Sequence, residues 1–221
     1  MLFLEKILEY IFLPTCGVCG EVEKNYLCEK CRIELERYMI IEKENSNNKK
    51  KTIFNNKIEK IHVFEYKNTI RKLILQYKFN DKSYLYKTFC EFIVKNKKLF
   101  DFIKSYDIII PVPIHKTRMR ERGYNQSELI TKELAEKTGI KFYTDVLIKV
   151  KNNKVQSTLS AEEREKNAKN VYKLNNLQKI YNKKVLIFDD IYTTGATINS
   201  CIEELEKASV KQIGILTLAK D

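Results

Sequence analysis

Residues Val185–Thr197 read VLIFDDIYTTGAT, an apolar run that passes into two adjacent acids and then a Thr/Gly loop. Val185-Leu186-Ile187-Phe188 is a short, wholly apolar run of the kind that forms a buried strand. It leads straight into Asp189-Asp190. Two adjacent carboxylates at the end of a buried strand are costly unless they bind something. Ribose hydroxyls and a divalent cation are natural partners. Thr193-Thr194-Gly195-Ala196-Thr197 follows, with small side chains, hydroxyl donors and a permissive backbone. A helix then begins, with Ile198, Cys201, Ile202 and Leu205 as its apolar face. A helix N-terminus ringed by N–H groups and hydroxyls cradles phosphate. Ligands of open α/β sheets lie beyond the carboxyl ends of the strands, which is where this loop falls. An ordinary turn needs neither the acidic pair nor the Thr/Gly loop.

Outward from this stretch, apolar runs alternate with helical patterns. Strands are expected at Ile61–Tyr66, Asp107–Val112, Val146–Val150, Lys184–Phe188 and Ile213–Leu218. Helices are expected at Thr69–Tyr77, Tyr84–Lys97 and Gln126–Lys137, the last closed by Gly139. Strands separated by helices predict an α/β fold with a parallel sheet covered on both faces. There is no internal repeat. The 221 residues fit one such domain with a small appendage. No run approaches the roughly 18 apolar residues of a membrane span. Met1–Leu13 is the most apolar start, but Glu5, Lys6 and Glu9 interrupt it. Leu4, Ile7, Leu8 and Ile11 recur at helical spacing, which favours a short packed helix over a membrane-surface one. A cytoplasmic location follows, with the surface-helix alternative placing the chain at the inner face of the membrane. Glu42–Lys51, polar throughout, is expected to be a linker or exposed loop.

The block Val185–Thr197 resembles the phosphoribosyl pyrophosphate (PRPP) motif of type I phosphoribosyltransferases. The resemblance puts the ribose hydroxyls on Asp189 and Asp190, with Mg2+ accompanying PRPP there. It puts the 5-phosphate on Thr193, Thr194, Gly195, Ala196 and Thr197. In that fold the loop after the first core strand receives pyrophosphate. Here it carries Lys116, Arg118, Arg120 and Arg122 before Gly123, a composition suited to polyanions through bidentate contacts. Arg118, Arg122 and Gly123 are the expected pyrophosphate residues. His115 reads first as a hydrogen-bonding loop residue and second as a phosphate contact. Lys149–Asn170 corresponds to the mobile loop of that fold, with a capping box at Ser160 and Glu163.

Four of the six cysteines lie in the first 31 residues, as Cys16-x-x-Cys19 and Cys28-x-x-Cys31. Two such knuckles complete a tetrahedral S4 site that suits a structural Zn2+. Disulfides, disfavoured in a reducing compartment, and an iron–sulfur cluster are the alternatives. Cys90 and Cys201 read as small core residues. The expected division is an N-terminal helix, four-Cys zinc module and linker over residues 1–48, and a phosphoribosyltransferase-like domain over 49–221.

The formal charge is +12. Residues 1–60 carry 11 Lys/Arg and 10 Asp/Glu, whereas residues 61–221 carry 30 and 19. A basic partner surface therefore belongs to the larger domain. Along Tyr66–Phe89, cations interleave with Tyr66, Tyr77, Phe79, Tyr84, Tyr86 and Phe89. Lys67, Arg71, Lys78 and Lys82, with Lys116 and Arg120, are candidate nucleic-acid contacts, the rings offering stacking surfaces. Against this, Leu73, Ile74 and Tyr77 share a helical face, so half of the rings are equally readable as core.

The cysteine knuckles, the segments PVPIHKTRMRERGYNQ and VQSTLSAEEREKNAKN, and VLIFDDIYTTGAT occur in that order. In this the chain closely resembles the ComF (ComFC) competence family over nearly its whole length. The family pattern has arginine where Lys149 and Lys151 stand, and threonine near Asn153. The resemblance implies natural transformation and DNA uptake: handling of incoming single-stranded DNA, PRPP binding, and partnership with the competence helicase ComFA and other DNA-processing proteins. A working phosphoribosyltransferase acting on a nitrogen acceptor, and a PRPP-sensing regulator, are the competing functions.

Overall fold

The computed structural model describes residues 15–23, 26–41, 43–46, 58–79, 82–152 and 171–221. The helix expected at Met1–Leu13 and the capping box at Ser160 and Glu163 lie outside the described residues.

A six-stranded sheet forms the body. Its strands are β1 (Lys43–Ser46), β2 (Ile58–Glu65), β3 (Ile108–Pro111), β4 (Lys141–Phe142), β7 (Lys184–Tyr192) and β8 (Gln212–Lys220), in the order β1-β2-β8-β7-β3-β4. All neighbours are parallel except β1, which runs antiparallel to β2. β3 is buried along its whole length, and β7 and β8 are buried through their middles, as strands covered on both faces must be. One face carries Leu186, Phe188, Leu216 and Leu218, and it is covered by helices α2 (Asn68–Phe79), α3 (Leu85–Lys95), α4 (Lys97–Lys104) and α6 (Gln126–Thr138). The other carries Val185, Ile187, Ile213 and Ile215 beneath α7 (Ala196–Glu206) and a separate hairpin, β5 (Leu147–Lys149) with β6 (Tyr172–Leu174).

Four expectations are corrected. Residues 43–46, inside the stretch read as a linker, pair with β2 as the edge strand. The helix read over Tyr84–Lys97 is two helices, broken at Asn96, whose extended backbone and side chain cap α4 by accepting from Leu99 N at 3.1 Å. The basic loop contains a short helix, α5 (Lys116–Arg122). His115 is its N-cap, its Nδ1 accepting from Thr117 N at 3.2 Å, and Gly123 closes it. Finally, Asp189 and Asp190 are not beyond the strand but inside it. β7 continues to Tyr192 because β8 accompanies it, as Asp189↔Thr217 and Tyr192↔Lys220.

The fold positions a crevice through its connections. From β3 the chain passes through α6 on one face to β4. From β7 it passes through α7 on the opposite face to β8. The two crossovers leave in opposite directions, so the carboxyl ends of β3 and β7 diverge, and this switch point is where such sheets take ligands. β3 accompanies β7 only as far as Phe188, with Val112 N donating to Phe188 O at 2.9 Å. The acidic pair begins at the next residue.

The cysteine module packs into the same core rather than standing apart. Cys16, Leu27, Cys28, Cys31 and Leu35 are buried in one cluster with Phe64, Phe89 and Phe92. Thr88 on α3 donates to Tyr26 O at 2.8 Å, and Lys87 donates to Tyr26 Oη at 2.7 Å.

Candidate ribose-phosphate site and cysteine cluster

A cavity of about 760 Å3 opens at the switch point. Asp189, Asp190, Thr193, Thr197, Arg118 and Arg122 all line it, so residues from two distant segments meet in one place. Asp189 lies at its floor. Burial, and then the neighbouring Asp190 charge, push the Asp189 carboxyl up to about 7. Its Oδ1 accepts from Asp190 N at 2.9 Å and weakly from Ser127 Oγ at 3.5 Å. Asp190 is held by Lys78, whose ammonium is 2.9 Å from Oδ2 with both side chains largely shielded. Lys78, read from the sequence among nucleic-acid contacts, thus reaches inward from the end of α2.

The phosphate loop is a tight turn into α7. Gly195 is the N-cap residue of α7, with φ +77°. A Cβ there would stand 2.4 Å from Tyr192 Oη, so only glycine fits beneath that ring. Ala196 and Thr197 begin the helix, and Thr194 Oγ1 accepts from Ala196 N at 3.4 Å. The free N–H groups of the first turn and the positive end of the helix dipole favour an anion here. Thr197 also bonds the buried Tyr172 of β6, whose hydroxyl pKa burial drives well above its usual value.

Three cations share this cavity. Arg118 and Arg122 come from α5 and Lys149 from β5. Burial, and next the Arg118 charge, lower the pKa of both Lys149 and Arg122. Positive groups crowded against one another in a cleft are what an anion relieves. Arg122 donates to Gln126 Oε1 at 3.2 Å, and its guanidinium lies 4.9 Å from the centre of the Phe79 ring.

The start of α6 forms the rest of the floor. Asn125 caps it, accepting from Ser127 N and donating to Val112 O, each at 3.1 Å. Tyr77 donates to Gln126 O at 2.9 Å, and Tyr124 donates to Tyr77 O. Ser127, Tyr172, Gln126 and Tyr124 escaped the sequence reading because nothing in their local pattern distinguishes a site residue from a core one. Gly123 caps α5 and Thr194 and Ala196 are exposed, all outside the cavity lining. Lys116 and Arg120 project to solvent from α5, Lys67 pairs with Glu65 at 2.5 Å, Arg71 is exposed, and Lys82 reaches Gln76 at 3.4 Å. Of the interleaved rings, Tyr77 and Phe89 are core, whereas Phe79 and Tyr84 are 64% and 42% exposed.

The second candidate centre is the cysteine group. The Sγ atoms of Cys16, Cys19, Cys28 and Cys31 all lie within 4.8 Å of one another, and Cys19 and Cys28 are 3.8 Å apart. Four thiolates about 2.3 Å from a tetrahedral zinc stand roughly 3.8 Å apart, so the group fits a metal ion. The first knuckle is a turn closed by Gly20 N to Cys16 O at 2.8 Å and Cys16 N to Glu21 O at 2.8 Å. The second is set on α1 (Glu29–Glu36), with Cys28 as its N-cap residue. Burial and the three neighbouring sulfurs raise the Cys31 thiol, a penalty that a bound cation reverses. Cys90 and Cys201 are buried and are not members of the four-thiol set, as expected of core residues.

A family model described as "Phosphoribosyl transferase domain" matches residues 125–221. Competence protein F of Haemophilus influenzae is 29% identical over 211 residues, 94% of this chain and 85% of that protein. Competence protein ComFC of Streptococcus pneumoniae is 29% identical over 233 residues, 93% of this chain and 99% of that protein. DNA utilization protein YhgH of Salmonella typhi is 29% identical over 114 residues, 52% of this chain and 49% of that protein. Over nearly its whole length the chain is similar to competence proteins F and ComFC, and it combines a phosphoribosyltransferase-type α/β fold with a group of four cysteines near its N-terminal end. Among the described residues no helix is long and apolar enough to cross a membrane.

Proposed function

We propose that this ComF/ComFC relative binds PRPP or a related ribose 5-phosphate at the Asp189–Thr197 loop and handles single-stranded DNA during DNA uptake. The observation that carries the first half is the meeting, in one cavity, of an acidic pair, a helix N-terminus and a cluster of cations. Asp189 and Asp190 receive the ribose hydroxyls and are the residues that would hold a Mg2+ accompanying PRPP. Residues Thr193–Thr197 receive the 5-phosphate. Arg118, Arg122 and Lys149 face the pyrophosphate. The second half is supported by relatives named for competence and DNA utilization, and by the exposure of the cations Lys67, Arg71, Lys116 and Arg120 and of the Phe79 ring. The four cysteines hold a structural zinc.

A paired titration tests this reading: PRPP–Mg2+ and a single-stranded oligonucleotide, each against the wild type and the Asp189→Asn/Asp190→Asn double variant. The wild type should bind both. The variant should lose PRPP binding. Equal PRPP affinity in the two proteins would overturn the assignment.

A second reading, transfer of the ribosyl group with departure of pyrophosphate, is favoured by one observation. Arg118, Arg122 and Lys149 line the same cavity as the acidic pair, where they could stabilise the charge of a leaving pyrophosphate. Pyrophosphate release from PRPP in the presence of a nitrogen acceptor, abolished by Asp190→Asn, would establish it.

A further inference from the structure

Asp189 and Asp190 bring two carboxylates into one cavity, and the chain supplies its own cation for them. Among the described residues Lys78 is the only cation within 4.0 Å of either, with its ammonium 2.9 Å from Asp190 Oδ2. The hydrogen bonds to Asp189 come from neutral donors, Asp190 N and Ser127 Oγ. Direct ion pairing of the acidic pair therefore falls on a single side chain. Lys78 and both carboxylates line the same cavity, so a competitor for Asp190 has a route to it and the ammonium has room to leave.

This ion pair differs from the rest of the molecule's. The Lys78 and Asp190 side chains are 16% and 15% exposed. Every other ion pair among the described residues has a member that is at least 42% exposed. Exposed pairs are screened by water and count for little. A shielded pair attracts more strongly, and leaving either charge alone is costly, so whatever replaces Lys78 must bring its own compensation to Asp190. The pair also joins two layers of the fold, the last turn of α2 and the end of β7. A lysine suits a replaceable partner: its ammonium is a compact charge on a flexible stem, free to withdraw without moving the α2 backbone.

We propose that Lys78 is a tethered counter-ion: it fills the cation position on Asp190, keeps a free divalent cation off that carboxylate, and yields when a ribose hydroxyl takes it. Exclusion of the cation needs only the ion pair. Yielding to a ribose rests on the ribose-phosphate reading above. Lys78 is thereby a positioning residue that controls access to the acidic pair.

Binding of Mn2+ alone to the full chain, read by electron paramagnetic resonance of the free ion, tests it. Mn2+ takes the same carboxylate ligands as Mg2+. An opposite charge this close shifts a carboxylate's equilibria by about one to three powers of ten. Lys78→Met should therefore bind Mn2+ at least tenfold tighter than the wild type. Lys78→Gln, neutral and polar, should show the same gain, so the outcome does not hang on the folding of one variant. Lys78→Arg, which keeps the charge, should show none, and adding Asp190→Asn to Lys78→Met should erase it. A merely structural lysine would move the melting temperature of these variants and leave Mn2+ binding alone. Equal Mn2+ affinity in the wild type, Lys78→Met and Lys78→Gln, or a gain that survives Asp190→Asn, overturns the counter-ion. Ribose 5-phosphate titrated into the same proteins separates the two readings: if it binds none of them, the ribose site falls, and the Mn2+ result still decides whether Lys78 excludes the cation.

Discussion

Gly195→Ala is the sharpest test of how the phosphate loop is built. Two penalties apply at this position. The residue sits at φ +77°, where a Cβ costs about 1–2 kcal/mol. The new methyl would also stand 2.4 Å from Tyr192 Oη and 2.8 Å from its Cζ, so the ring must move or the turn must open. Overpacking of that kind costs about 1–3 kcal/mol. The sum is about 2–5 kcal/mol, or roughly 5–15 °C in melting temperature for a chain of this size. Gly139 supplies the control: it has the same φ of +77° at the end of α6, but nothing lies within 4 Å of its would-be Cβ. Gly139→Ala should therefore cost only the first penalty. Adding Tyr192→Ala to Gly195→Ala should recover part of the second, giving a favourable coupling of about 1–3 kcal/mol in a double-mutant cycle. The displaced turn also moves the first N–H groups of α7, so ribose 5-phosphate affinity should fall at least about tenfold in Gly195→Ala. Thermal melts and calorimetry measure both effects. Equal melting of the two glycine variants within about 2 °C, with unchanged phosphate affinity, would refute the close-approach argument.

Three further outcomes follow from the other features. The Asp189 carboxyl is raised to about 7 by burial and by Asp190, so the folded chain holds that proton more tightly than the unfolded one. Its contribution to stability is complete below about pH 4 and is lost as the pH rises through 7. The melting temperature of the wild type should therefore fall between pH 5.5 and 8 by more than that of Asp189→Asn, and ribose hydroxyl binding should strengthen over the same interval. A zinc content of one per chain is expected by elemental analysis. Cys28→Ser should lose it and lower a single melting transition, because Cys28 shares its core cluster with Phe89; a separate early transition would contradict that continuity. Lys116→Ala/Arg120→Ala should make the slope of log affinity for single-stranded DNA against log salt shallower by about 1.4, read by fluorescence anisotropy; an unchanged slope would remove α5 from the DNA path.

Local chemistry explains which parts of the fold were readable in the sequence. β3, β7 and β8 are buried on both faces, and a strand with two apolar faces must be apolar in sequence. Asn125 and Gly139 mark the ends of α6 because capping is decided by residues next to one another. Edge elements lack such a signature. β1 offers only Lys43-Glu44-Asn45-Ser46 to its neighbour, and what makes it a strand is the backbone of β2, which composition does not report. The break at Asn96 was missed for a similar reason: apolar periodicity runs on across it, and the capping side chain alone gives it away.

The site divides along the same line, and the division bears on function. Residues that act with their sequence neighbours, Asp189 to Thr197 and the two CxxC pairs, announce themselves because one turn or one strand end must carry several chemical demands at once. Residues that act across the fold do not. Lys78 reads as one more cation on a basic helix, yet its partner is Asp190, more than a hundred residues away. Phe79 is adjacent in sequence and faces the same cavity, and Arg122 comes to it from α5. The end of α2 therefore touches both halves of the proposed chemistry. Lys78 pairs with Asp190, and the largely exposed Phe79 ring lines the same cavity. In the proposed ribose complex a hydroxyl that bonds Asp190 competes with Lys78 for that carboxylate.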